Sequence, residues 1–239
     1  MRGMGDYTNM SAYYDVIMTS GYYNYAQIVD ELERHGPFAS ILEVGCGTGL
    51  ILEEIGKRQP NTNILGIDLT QAMLSIAQER LKPFPQIKVE QQNVVEMNLA
   101  RKYAAAFSYG GVWYFVIDGD KEPFLVSHIS DHQANVAGLR KLAQSIEAGG
   151  TLLLGIQGPH FDYESTISNG MTYSQKIEPS AHGFIKHYYL ADAGRIVMAQ
   201  TIDYRTYDFA QTKAMFKEAG FTYAPMSDPK KFLAFTRDR

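Results

Sequence analysis

Residues 41–49 read ILEVGCGTG, a short apolar run carrying one acid, Glu43, and closing on three glycines that alternate with Cys46 and Thr48. A glycine cluster after a strand can cradle phosphates, seat a dinucleotide or only turn the chain, and its surroundings discriminate. A nucleoside-triphosphate loop ends in Gly-Lys-Ser/Thr, so that the lysine reaches the terminal phosphates. Here Gly49 is followed by Leu50 and Ile51, which excludes that ligand. A dinucleotide site prefers G-x-G-x-x-G, whereas Gly45, Gly47 and Gly49 give G-x-G-x-G. Glu43 would repel a pyrophosphate, but it can hold an amino group directly or through water. The next strand ends in GIDLT and places Asp68 at its carboxyl end. A carboxylate there can accept hydrogen bonds from both hydroxyls of a ribose. The implied ligand is cationic at one end and nucleoside-like at the other.

Outward from this loop, short buried-type strands alternate with amphipathic helices: SILEVG, GLILEEIGKRQ, NILGID, TQAMLSIAQERL and IKVEQQ. Such alternation signals parallel βαβ units with right-handed crossovers. The pattern continues through AAAFSY, a helix at about 131–147 stopped by Gly149-Gly150, and the strand TLLLGIQ. From about 157 to 206 the period changes to two, as in HGFIKHYYL and RIVMAQTIDYRTYDF, which predicts antiparallel strands. A helix, AQTKAMFKEAG, and two strands, FTYAPM and KFLAFT, follow. Residues 8–35 read as helical and carry tyrosines at 13, 14, 22, 23 and 25.

The 239 residues are 45% apolar, enough for a sizeable core, and no repeat or linker divides them. A net charge of −4 gives no general field for nucleic acid or an anionic membrane surface, so neither is expected as a partner. Cys46 is the one cysteine, which rules out an internal disulfide or a multi-cysteine metal site, and no metal is expected. With no signal-peptide-like stretch and no apolar run of membrane-spanning length, a cytoplasmic protein is expected. Sixteen tyrosines, crowded in SAYYD, GYYNY and HYYL, suit a half-wet pocket for a small ligand as well as ordinary strands.

LEVGCGTG, the strand-end acid of GIDLT and the helix TQAMLSIAQERL together resemble the class I S-adenosylmethionine-dependent methyltransferases, over roughly residues 40–157. The resemblance implies S-adenosylmethionine as cofactor, around Glu43, Gly45, Cys46, Gly47, Gly49 and Asp68. It implies that Leu69 or Met73 packs on the adenine, and that Asn93, with Val94 beside it, stands where an aspartate usually accepts from the adenine amino group. The period-two insertion and the tyrosine-bearing N-terminus are similar to the small-molecule branch, which includes glycine N-methyltransferase and amino-sugar N-methyltransferases. The implied fold is a Rossmann-like, doubly wound α/β domain. Its seven-stranded, mostly parallel sheet has one reversed strand and helices on both faces. Its parts are an N-terminal helical cover (1–38), a cofactor-binding core (39–157), an antiparallel lid (158–207) and a C-terminal helix with strands (208–239).

The implied activity is methyl transfer to a nitrogen or oxygen of a small-molecule acceptor, nitrogen being favoured for want of an obvious base. The alternatives are a catalytically inactive cofactor-binding regulator and a methyltransferase acting on a macromolecule; SYGG stands where adenine- and cytosine-specific enzymes have an Asn/Asp-Pro-Pro-Tyr/Phe tetrapeptide. A homodimer is left open. Ser108 and Tyr109, after the fourth strand, are expected beside the methionine part of the cofactor, with Trp113, Tyr114 and Phe115 facing the acceptor. His160, after the fifth strand, is the candidate base or acceptor contact. Tyr14 resembles the tyrosine that covers the cofactor in the small-molecule branch. His182 and His187 are expected to make ordinary hydrogen bonds, and His128 and His132 to cap a helix. Cys46 has no base beside it, so small volume rather than nucleophilicity accounts for it.

Overall fold

The computed structural model describes residues 7–226 and 229–239. The all-buried strand β1 (Ser40–Val44) lies at the centre. It pairs in parallel with β2 (Asn63–Asp68) on one side and β4 (Tyr103–Ser108) on the other. β3 (Ile87–Gln91) flanks β2, and β7 (Ile146–Gln157) flanks β4, all parallel. β13 (Phe232–Arg237) runs antiparallel to β7, and β12 (Phe221–Ala224) antiparallel to β13. In the order β3-β2-β1-β4-β7-β13-β12 only β13 is reversed, the mostly parallel arrangement that the resemblance implies.

Helices α3 (Leu50–Arg58), α4 (Gln71–Leu81), α5 (His132–Ser145) and α6 (Phe209–Ala219) connect or flank these strands. Gly49 has φ +79°, and a Cβ there would lie 3.2 Å from Leu81 and 3.3 Å from Ala77, so the third glycine of the loop brings α3 close to α4. α6 opens on a capping box, Asp208 with Gln211, and closes on left-handed Gly220.

Two features differ from the sequence expectation. The helix before β7 ends at Ser145, and Gly149-Gly150 lies inside an irregular stretch of the strand: Tyr103 pairs with Ile146, whereas Ala105 already pairs with Thr151. Further, the run after β4, to which the sequence pattern assigns no strand, forms two. β5 (Trp113–Val116) pairs with β7 at Phe115↔Ile156 and with β6 (Phe124–Ser127). β6 then pairs with β11 (Arg195–Tyr207), which leads through β10 (Gly183–Asp192) and β9 (Thr172–Ser180) to β8 (Tyr163–Thr166). The antiparallel lid is thereby hydrogen-bonded to the central sheet.

The N-terminal segment comprises a 3₁₀ turn (Thr8–Met10), α1 (Ser11–Ile17), a π turn (Met18–Tyr22) and α2 (Tyr25–Arg34). Left-handed Gly21, at φ +96°, bends the chain between α1 and α2. Met10, Ile17 and Met18 are buried with Tyr114, Tyr188 and Tyr204 in the lid-side core. Arg80 of α4 ion-pairs with Asp15 of α1 and donates to the Thr48 carbonyl at 2.9 Å, while Thr48 Oγ1 donates to Asp15 at 2.6 Å. The cover is thus fastened to the glycine loop itself.

Candidate functional site

The glycine loop is held by β2. Gly45 N and Cys46 N donate to the Ile67 carbonyl at 2.8 and 3.0 Å, and Gly47 N donates to Asp68 Oδ2 at 2.8 Å. Asp68 Oδ1 accepts from Thr70 N at 2.8 Å. Burial pushes the Asp68 carboxyl up, and these backbone bonds hold it partly back. Each oxygen keeps a further lone pair for a hydroxyl. A Cβ on Gly45 would sit 2.9 Å from Gly111 Cα, so the loops after β1 and β4 meet backbone to backbone.

Between these loops lies a cavity of about 720 Å³. Its walls include Gly45, Gly47, Asp68, Leu69 and Met73, with Asn93 and Val94 after β3. Tyr14 closes it from the cover, where a Cβ on Gly47 would approach the phenol ring to 3.8 Å. Asn93 Oδ1 also accepts from Val95 N at 3.1 Å, which fixes the amide at the cavity wall.

Glu43 and Cys46 line an adjoining space of about 300 Å³ with Tyr109, Tyr23 and Tyr25, and it shares Gly45 and Tyr14 with the main cavity. Glu43 is 2% exposed and its Oε2 has no hydrogen-bond partner among the described residues. Burial first, and the Asp68 charge second, push its carboxyl well above the usual range. A buried, unpartnered acid beside a glycine loop fits a ligand that brings a cation or a donor. Cys46 is buried and its thiol is pushed up by burial, so it is not a thiolate; a Cβ on Gly66 would lie 2.9 Å from its sulfur.

A second cavity, of about 370 Å³, opens on the other side of a shared wall made by Tyr7, Tyr14, Gly110 and His128. Here Tyr114 and His160 come together, the phenol oxygen 2.9 Å from Nε2. Burial holds the His160 imidazole at about 3 and the His128 imidazole at about 4, so both are neutral near pH 7. His128 Nε2 lies 3.0 Å from Tyr7 Oη, and its Nδ1 is buried without a partner among the described residues. Tyr7 Oη lies 3.0 Å from Tyr204 Oη, which lies 2.6 Å from Tyr188 Oη. Lys186 of β10 completes the lining at 2% exposure.

Several expected site residues stand elsewhere. Contrary to an acceptor-facing Trp113, its ring is 0% exposed in the core against α5, with Nε1 donating to Asn135 Oδ1 at 2.8 Å. Phe115 shares that core, because alternate residues of β5 face opposite ways and only Tyr114 reaches the cavity. Gly49 acts in helix packing, and Ser108 is fully buried behind Gly111, whose Cβ would meet its Oγ at 2.9 Å. The cap of α5 is Asp131, not a histidine; His132 instead lies 3.2 Å from Tyr207 Oη. His187 bonds Thr201 Oγ1 at 2.9 Å, away from the cavity.

Sequence reasoning missed Tyr7, His128, Lys186, Tyr188 and Tyr204. For Lys186 a signal exists: in HGFIKHYYL, strict alternation sets Phe184, Lys186, Tyr188 and Leu190 on one face, so the lysine interrupts an otherwise apolar and aromatic stripe. His128 has no comparable local signature, since it enters the site only through the β5–β6 pairing.

Residues 41–145 match the family model described as a methyltransferase domain. A stretch of 95 residues is 40% identical to malonyl-[acyl-carrier protein] O-methyltransferase 1 of Ilyobacter polytropus, covering 36% of this chain and 35% of that protein. Another of 146 residues is 30% identical to the carboxy-S-adenosyl-L-methionine synthase of Helicobacter pylori, covering 60% and 54%. The matches thus span about a third to a half of these relatives' lengths. The fold is similar to that of an S-adenosylmethionine-bound amino pentose methyltransferase of Micromonospora echinaspora, with TM-score 0.66, 18% identity and coverage of 94% and 96%.

Proposed function

We propose that this chain, whose residues 41–145 match a methyltransferase domain, is S-adenosylmethionine-dependent and transfers a methyl group to a nitrogen or oxygen of a small molecule held in the second cavity. The observation that carries this reading is the wall of Tyr7, Tyr14, Gly110 and His128 common to both cavities. That shared wall supports a reading in which a ligand of one cavity lies against a ligand of the other.

The cofactor, when bound, would supply a sulfonium-activated methyl group, whose transfer to an in-line nucleophile releases the neutral thioether. In this assignment Asp68 receives the ribose hydroxyls, Leu69, Met73 and Val94 face the adenine, and Asn93 takes its amino group. Glu43 answers the positive aminoacyl end. The cover excludes water, its Tyr14 and Tyr7 forming part of the junction. Orientation of reactants is worth roughly 7–11 kcal/mol, against about 3–5 kcal/mol for a general base. Positioning by these side chains therefore outweighs proton transfer.

The acceptor atom favoured is nitrogen. Imidazoles whose conjugate acids lie at about 3 and about 4 take a proton from an attacking hydroxyl poorly. An uncharged amine needs no such base. Among the described residues lining the second cavity there is no Asp or Glu to stabilise an ammonium, which favours a bound amine in its reactive, uncharged form.

The test uses cofactor carrying a labelled methyl group, incubated with the protein and the low-molecular-weight filtrate of a bacterial extract. Label in a small organic product, with release of demethylated cofactor, supports the assignment. Label confined to protein or nucleic acid overturns the small-molecule acceptor, and bound cofactor without any turnover favours a regulator.

A further inference from the structure

Lys186 lies in the middle of β10, opposite Ile202 of β11 and Ile177 of β9, so the lid sheet buries it from both sides. Among the described residues no carboxylate lines the cavity it faces and none forms an ion pair with it; Glu178 of β9 lies 3.6 Å from His187. What its charge meets is the Tyr188 ring, 4.9 Å away. An ammonium withdrawn from water without an anion is strongly disfavoured, and a single cation–π contact does not offset that loss of hydration. Burial accordingly holds this amine down at about 7, against an ordinary lysine value of about 10.4.

The rest of the lining points to the same missing partner. The phenols of Tyr7, Tyr188 and Tyr204 form one chain of hydroxyls. His128 adds a ring nitrogen, Nδ1, that is buried and unbonded. The three contacts among Tyr7, Tyr188, Tyr204 and His128 use three of their four O–H and N–H donors, and the fourth, with the Lys186 ammonium, can be turned to a carboxylate.

We propose that the acceptor is a small organic carboxylate whose anionic group is held against Lys186 and the surrounding phenols of the second cavity. The methyl-receiving atom then lies at the other end of the molecule, at the wall shared with the cofactor cavity. Lys186 is a substrate-binding residue, and it selects against acceptors whose only charge is positive. The proposal rests on the methyl-transfer reading above.

The test measures binding of benzoate, benzamide and phenyl phosphate by calorimetry to the protein saturated with S-adenosylhomocysteine. The expected result is that benzoate binds and uncharged benzamide does not. Lys186→Met is expected to weaken benzoate by roughly 30-fold or more, as for loss of one partner of a buried charge pair, and Lys186→Arg to restore part of it. S-adenosylhomocysteine affinity should be the same in all three proteins, which also reports that the variants are folded. Equal binding of benzoate and benzamide, indifference to Lys186→Met, or no binding of either probe by cofactor-loaded protein overturns the carboxylate proposal and leaves the methyl-transfer reading standing. Tighter binding of phenyl phosphate overturns carboxylate in favour of a phosphorylated acceptor. Failure of S-adenosylhomocysteine itself to bind sinks the methyl-transfer reading instead.

Discussion

Glu43→Gln isolates what the buried acid does. The substitution keeps the shape of the side chain and removes its charge. Glu43 is 2% exposed, with Oε2 unpartnered and Asp68 close enough to raise its carboxyl further. Its folded-state value therefore lies well above the unfolded value of about 4.3. The sign follows from proton linkage: the native state holds the proton more tightly, so this group's contribution to stability is full below the unfolded value. It is lost as pH rises through the folded value, at about 1.4 kcal/mol per pH unit. Asp68, also raised, adds a loss of the same sign in both proteins and cancels to first order in the comparison. Urea unfolding of the ligand-free proteins across mildly acidic to neutral pH should show Glu43→Gln gaining on the parent by about 1.4 kcal/mol per unit until the native carboxyl ionises. For a chain of this size that is roughly 3–6 °C in Tm per pH unit. Saturating S-adenosylmethionine should reverse the order, because its cationic end stabilises the ionised Glu43 and not the amide. Parallel stability curves for the two proteins, with and without ligand, would refute the reasoning.

Asp68→Ala should weaken S-adenosylmethionine by about 1.5–3 kcal/mol for each charge-assisted ribose bond lost, roughly 10- to 150-fold, read by calorimetry. Unchanged affinity would remove Asp68 from the site. Trp113→Ala should cost about 3–5 kcal/mol in chemical denaturation through the cavity it leaves in the α5-side core, yet leave cofactor affinity of the folded protein intact; a selective loss of acceptor binding would instead restore Trp113 to the acceptor pocket. Tyr114→Phe breaks the 2.9 Å contact with His160 and should change acceptor KM or kcat while cofactor affinity holds. A change in cofactor affinity alone would misplace the second cavity.

The part of the fold around β1 is legible because local pattern and tertiary demand coincide there: an apolar strand, glycines at the turns and an acid ending the next strand. β5 and β6 were not legible, since apolar runs of four residues carry no period long enough to separate strand from packed loop. That error propagated to the site. Once WYFV is a strand, Trp113 and Tyr114 must face opposite ways, and only the tyrosine belongs with His160. The glycine loop was legible as a set, but its members do different things. Gly45 admits Gly111, Gly47 anchors on Asp68, and Gly49 serves helix packing. The second cavity is assembled from the N-terminal cover, β5, the turn after β6 and two lid strands. Its composition depends on pairings far apart in sequence, which periodicity does not encode.

The central claim, that the cavity between Gly45, Asp68 and Asn93 is an S-adenosylmethionine site, is tested most directly by titrating the unmodified protein with S-adenosylmethionine and, separately, with NAD. One saturable site per chain for S-adenosylmethionine, competed by S-adenosylhomocysteine and absent for NAD, is the predicted result. Binding of NAD with no binding of S-adenosylmethionine would contradict it.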